Sequence, residues 1–154
     1  MTNLARKPGQ GGNEPAVRDI VVEDVLPQPP DKVWKALTTA ELIGRWLMPN
    51  DFEPVVGKRF TFTTRPIGAW DGVVQCEVLE VVPLSRLVYS WKGGADDSRL
   101  DSVVTWTLRA EGKGTRLRMV HAGFRSPQND FAYGAMGSGW RKIVGKLGEE
   151  LATL

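Results

Sequence analysis

Apolar residues along this chain follow two rhythms, and the switches between them mark its elements. From Val17 to Leu26 the period is two, with Ile20, Val22 and Leu26 on one parity, which predicts a strand stopped by Pro27, Pro29 and Pro30. Pro30 also suits the first position of a helix, where a missing N–H costs nothing, and Asp31 then sits near the positive end of the helix dipole. Val33, Trp34, Ala36 and Leu37 follow at helical spacing. A second short helix, Ala40–Leu47, presents Ile43, Trp46 and Leu47 and ends at Pro49.

From Lys58 the period returns to two. Phe60 and Phe62 share one face, and Trp70, Val74, Cys76, Val78 and Val82 share one face of the next strand, with Gly72 between them. After the turn at Pro83-Leu84-Ser85, Leu87, Tyr89 and Trp91 alternate with Val88, Ser90 and Lys92. Beyond a Gly-Asp loop come Val104, Trp106 and Leu108, then a Gly-rich hairpin connection at 111–114, then Leu117, Met119 and His121. Gly123–Tyr133 reads as a loop. Met136, Trp140, Ile143, Val144, Leu147 and Leu151 recur every three or four residues, the signature of an amphipathic helix. Gly137, Gly139, Gly145 and Gly148 each disfavour that helix by about 1 kcal/mol relative to Ala, so close approach to the sheet or to a ligand is their expected use. The order is β, α, α, about five β, then a long α. The fold class is α+β: an antiparallel meander, curved, with the last helix across its concave face, because each element then buries its one apolar side.

Composition narrows the picture. Residues 1–16 hold Pro8, Gly9, Gly11, Gly12 and Pro15 among polar residues and read as a disordered tail, leaving 17–154 as one domain. The formal net charge is +2 and the cations are scattered, so no nucleic-acid partner is expected. Apolar runs fall short of the ~18 residues a membrane span needs, and no signal peptide is visible, so the expected location is the cytoplasm. Cys76 is the single cysteine and His121 the single histidine, which excludes an intrachain disulfide and any multi-Cys or multi-His metal site. No phosphate-binding loop, Gly-x-Ser-x-Gly or His-Glu-x-x-His motif is present, so neither a cofactor nor a metal is expected.

Six tryptophans stand out. Trp46, Phe60, Phe62, Trp70, Tyr89, Trp91, Trp106 and Trp140 form an aromatic set with two readings, the walls of a cavity for a flat apolar ligand or a filled core. Cys76, Met119, Met136 and Ile143 complete the candidate lining. Gly139, with Gly137, would widen the space at the start of the last helix, and Trp46 and Pro49 would close its mouth. Tyr89 or His121 would anchor the ligand. His121 reads either as a polar anchor or weak acid–base candidate, or as a satisfied histidine at the sheet rim. Cys76 reads as a small buried hydrophobe, and Glu80 as a strand-end ion-pair partner or an inward carboxylate.

Several of these stretches resemble a known family. Pro30-Asp31-Lys32-Val33-Trp34-Lys35-Ala36-Leu37-Thr38 is similar to the P-x-x-V-W-x-A-L-T opening of the SRPBCC (START-like) superfamily, and Leu42–Pro49 to its second helix. Val78–Trp91 resembles its E-v-x-P-x-x-r-L-v-y-x-W hairpin, Gly114–Phe124 its g-T-x-L-x-x-x-H-x-G-f strand, and Gly139-Trp140 the G-W near the start of its last helix. The order points to the branch of Aha-type domains, named after the activator of the heat-shock-protein ATPase, over about residues 17–152. The resemblance implies a helix-grip fold and an apolar cavity between sheet and helix. It also implies a small hydrophobic molecule as partner, with a second copy of the chain, in a homodimer, the other candidate. Cyclase- or hydrolase-type catalysis on a hydrophobic substrate, and regulation of a chaperone ATPase in stress response, are the alternatives it carries.

The composition of residues 1–15 yields a first test. Deleting them should leave the melting temperature nearly unchanged, and a fall of many degrees would mean that the tail docks on the domain.

Overall fold

The computed structural model describes residues 16–154, so the tail expected over residues 1–15 lies outside the described residues. Strand β1 spans Val17–Leu26 and is followed by helices α1 (Pro30–Thr38) and α2 (Ala40–Trp46). Strands β2 (Arg59–Thr63), β3 (Val73–Val82), β4 (Arg86–Gly93), β5 (Leu100–Glu111) and β6 (Gly114–Arg125) come next, and helix α3 (Asp130–Leu151) ends the chain. The strands form one antiparallel sheet in the order β1-β6-β5-β4-β3-β2. The meander expected from the short connections is therefore present, and β1 completes it beside β6.

Local chemistry explains the elements. Pro30 opens α1 at the position where no donor is needed, and Asp31 lies in the first turn; Val33, Ala36 and Leu37 face the core. In α3 the buried residues are Trp140, Val144, Leu147 and Leu151, at steps of four, three and four. That stripe lies against β1, β6, α1 and α2, on the concave side of the sheet. Ile143, expected to be buried with them, is half-buried because it stands off the centre of the stripe. The tight β5–β6 hairpin brings Gly114 so close to the end of β1 that an added Cβ would lie 2.1 Å from the Leu26 carbonyl oxygen, so this position requires glycine.

Three readings of the sequence need correction. Trp70 does not share strand β3, which begins only at Val73; it closes a turn with Ile67 through reciprocal backbone hydrogen bonds of 3.0 Å. A register shift between Val78 and Glu80 reverses the parity of the end of β3, so Val82 faces solvent and Val81 packs against the core instead. Glu80 pairs with Arg86 at 3.0 Å, the strand-end ion pair rather than an inward carboxylate. Gly123 was expected to open a loop. It instead takes φ +112° within β6, which runs on to Arg125, and α3 starts at Asp130.

Leu147 is fully buried, and its replacement by Ala should cost about 2–5 kcal/mol in chemical denaturation. A loss below about 1 kcal/mol would contradict the packing of α3 on the sheet.

Candidate functional site

Ring-on-ring packing fills the centre of the concave face. Trp106 stands between Trp46 and Trp140, with ring centroids 5.6 and 5.8 Å away, and Trp91 meets Trp140 at 5.6 Å and Phe62 at 5.3 Å. Toward β2 the stack continues through Phe62, Phe60 and Tyr89. Phe52, from the connection after α2, caps Phe60 edge-on at 5.1 Å. Each edge-to-face pair contributes about 0.5–1.5 kcal/mol beyond area burial.

Inside this apolar mass runs one chain of hydrogen bonds. The Trp140 indole N–H donates to Nδ1 of His121 at 2.9 Å. With Nδ1 accepting, the proton of the neutral ring must be on Nε2, which donates to Ser102 Oγ at 2.8 Å. Ser102 in turn donates to the Trp91 carbonyl at 2.8 Å. The chain thus joins α3 to β6, β5 and β4. Burial holds the His121 pKa down at about 3, so the ring is neutral at physiological pH. Both ring nitrogens are engaged, so His121 has no free lone pair to take a proton from a substrate.

The remaining candidates separate by location. Trp46, Phe60, Phe62, Tyr89, Trp91 and Trp106 are all buried on the concave side, as are Met119 and Trp140. Trp46 does not close a mouth: its indole donates to the Ala36 carbonyl at 3.0 Å, which draws the ring into the core. Cys76 is buried beside this set, and burial raises its thiol pKa, with the Asp51 carboxylate adding to the shift; it is a packed thiol and not a thiolate. Burial likewise raises the pKa of Tyr89, whose hydroxyl accepts the Trp106 indole N–H at 3.0 Å. Trp70, Met136 and Ile143 are half-buried at the edge of the core.

The first half of α3 differs from the second. None of the residues from Asp130 to Gly139 is buried. Gly137 lies one turn before Trp140 and so on the inward face, yet a Cβ added there would meet nothing within 4 Å; the same holds at Gly139. These two glycines therefore do not serve a close approach of the helix, although Ala132, Tyr133 and Met136 of the same stretch pack against the core. Trp70 lies beside the end of β4, its indole nitrogen 3.4 Å from where a Gly93 Cβ would be. A separate hollow of about 360 Å³, lined by Asp71, Gln75, Lys92 and Arg99 among others, lies on the opposite, polar face of the sheet and holds none of the aromatic set.

Four residues of this arrangement escaped the sequence reading. Ser102 was signalled by its parity with Val104 and Trp106, as a hydroxyl where an apolar residue was due. Asn129 is buried and binds the Ser98 and Arg99 carbonyls and the Arg125 N–H, which fastens the start of α3. Phe52 lies in a connection without periodicity. Phe124, packed on His121 at 4.6 Å, follows the irregular Gly123. Among the described residues no group of three or more His, Cys, Asp or Glu is placed to hold a metal ion, and no helix is long and apolar enough to cross a membrane.

A curved antiparallel sheet gripping a long C-terminal helix is the SRPBCC arrangement. Residues 27–152 match the family model described as activator of Hsp90 ATPase homolog 1-like protein, and the chain belongs to that family. Its structure is similar to that of protein MLL2253 from Mesorhizobium loti, at 44% identity and a TM-score of 0.82, covering 88% of this chain and 98% of that one. CalU16 from Micromonospora echinospora is 27% identical with a TM-score of 0.70, over 88% of this chain and 76% of that one. The Aha1 dimer from Colwellia psychrerythraea shares the fold, at 19% identity and a TM-score of 0.71, over 87% of this chain and 96% of that one. No curated protein matches the chain.

The buried imidazole makes stability depend on pH. The folded pKa of His121, about 3, lies below its ordinary 6.5, so between these values the unfolded chain binds more protons than the folded one. The His121 contribution is complete above pH 6.5, falls as pH drops through that window at up to about 1.4 kcal/mol per unit, and is gone below pH 3. Urea denaturation at several pH values should show this slope in the wild type and its reduction in His121→Gln; equal slopes would contradict a neutral buried ring.

Proposed function

We propose that this protein is a cytoplasmic binding module for a small hydrophobic or aromatic molecule, held beneath the first half of α3. The observation that carries this reading is Gly137: it stands one turn before the buried Trp140, and a Cβ added there would meet nothing within 4 Å. A core that needed only to be filled would place a side chain there. Trp91 forms the floor, Met136 and Gly139 the helix wall, and Trp70 the rim, while the rings deeper in the stack make the inner end apolar. The free, buried thiol of Cys76 suits a reducing compartment. The acid–base alternative has no comparable support, because His121 is neutral with both nitrogens occupied. The chaperone-regulating alternative rests on the family name alone.

Tryptophan emission reports directly on this space. Titration with 1-anilinonaphthalene-8-sulfonate or N-phenyl-1-naphthylamine should quench it in the native state. Gly137→Leu should abolish the response and leave the far-UV circular dichroism unchanged, since Leu is the better helix former by roughly 1 kcal/mol. Absence of quenching by either probe, or unaltered quenching in Gly137→Leu, would overturn the proposal.

A further inference from the structure

The hollow on the face of the sheet away from α3 is lined by charged groups that do not pair with one another. It measures about 360 Å³, within the range of about 300–1,000 Å³ typical of small-molecule pockets. Its floor is the outward side of β3 and β4, where Gln75 and Lys92 are cross-strand neighbours. One wall is the turn at 69–71 that leads into β3, and the other is the connection from β4 to β5. Both walls are held in place. Gly72, behind the first, takes φ +82°, and a Cβ there would lie 2.3 Å from the Thr64 carbonyl oxygen. The Trp70 indole ties the same turn to the Val73 carbonyl at 3.0 Å. In the second wall the Ser98 and Arg99 carbonyls accept the side-chain amide of the buried Asn129 at 3.1 and 3.3 Å.

Both signs of charge line this space. Lys92 and Arg99 supply two positive charges, Asp71 and Asp96 two negative ones. Among the described residues, Asp71, Asp96 and Arg99 take part in no ion pair, so the opposite charges of the hollow stand too far apart to meet directly. Lys92 reaches only Asp101, at 3.8 Å, and both side chains are exposed, a contact that is readily given up. Asp71 is already oriented: its Oδ1 accepts the Val73 N–H at 3.0 Å, which leaves the other oxygen for a donor. An anion alone would bring its charge near Asp71 and Asp96, and a cation alone would meet Lys92 and Arg99. A molecule that carries both charges satisfies both sets.

We infer that this hollow binds a small zwitterion with an amine at one end and a carboxylate at the other. Lys92 and Arg99 receive the carboxylate, for which the planar fork of Arg99 is suited, and Asp71 on the opposite wall receives the ammonium group. The site is independent of the one proposed beneath α3, because the sheet separates them.

Titration with 4-aminobutyrate, butyrate and butylamine at pH 7, followed in amide proton–nitrogen correlation spectra, tests this. The zwitterion should shift the Gly93 and Gly94 amide signals and the Gln75 side-chain amide saturably. It should bind about 2- to 5-fold more tightly than either singly charged analogue, the gain expected from one added ion pair in a partly exposed site. Arg99→Gln with Lys92→Gln should abolish the preference over butylamine. Asp71→Asn, which keeps the oxygen that accepts the Val73 N–H, should abolish the preference over butyrate. Arg109→Gln, which removes an exposed cation at the far end of β5, should leave all three affinities unchanged. Equal affinity for the three probes, tighter binding of either singly charged one, shifts confined to residues away from the hollow, or no shift at saturating probe would each overturn the inference.

Discussion

The rest of the structure depends on how α3 is fastened to the sheet, and a single hydrogen-bond chain fixes where its buried stripe sits. Trp140 brings the largest apolar surface of the helix into the core, but its N–H cannot enter without an acceptor. His121 supplies one from β6, Ser102 answers His121 from β5, and the Trp91 carbonyl answers Ser102 from β4. Each link decides the next: the indole fixes the tautomer of the imidazole, and the tautomer fixes the direction of the serine hydroxyl. Loss of any link leaves a buried group unpaired at about 1–3 kcal/mol, so helix position and strand register are specified together.

That anchorage divides α3 into two parts with different work. From Trp140 to Leu151 every inward residue is packed, and hydrophobic burial holds the helix down. Ahead of Trp140 the helix is rich in glycine and only partly buried, with Ala132, Tyr133 and Met136 packed against the core. It is held at its start by Asn129 and by Arg18, which pairs with Asp130 and lies over the Tyr133 ring at 4.0 Å. The second half of α3 therefore carries the hydrophobic anchorage, and a substitution at Gly137, where a Cβ would meet nothing within 4 Å, need not disturb it.

Much of this was legible in the sequence because period two and period 3.6 are global signals. The α+β order, the antiparallel meander and the concave face carrying Tyr89, Trp91, Trp106, Met119 and His121 all follow from parity. What parity misses are the places where one residue is added to the count. The irregularity between Val78 and Glu80 turns Val82 outward, and Gly123 carries β6 two residues past an apparent loop, bringing Phe124 onto His121. Trp46 went astray for another reason: its placement depends on a backbone acceptor at Ala36, ten residues away, that no local pattern marks. For His121 the sequence left two readings open, and only the distances to Trp140 and Ser102 separate them. The glycines of α3 were visible as a signal with two readings, close approach and added room, because both favour the same residue type; at Gly137 and Gly139 an added Cβ would meet nothing within 4 Å.

The proposed function turns on whether the helix face at Gly137, and not the polar hollow on the other face of the sheet, takes up a small apolar molecule. Intermolecular nuclear Overhauser effects between N-phenyl-1-naphthylamine and the protein locate the probe directly. The account predicts cross-peaks from the probe to the Met136 methyl group, the Gly137 α-protons and the Trp91 ring. Cross-peaks confined to Asp71, Gln75, Lys92 and Arg99, or none at saturating probe, would contradict it.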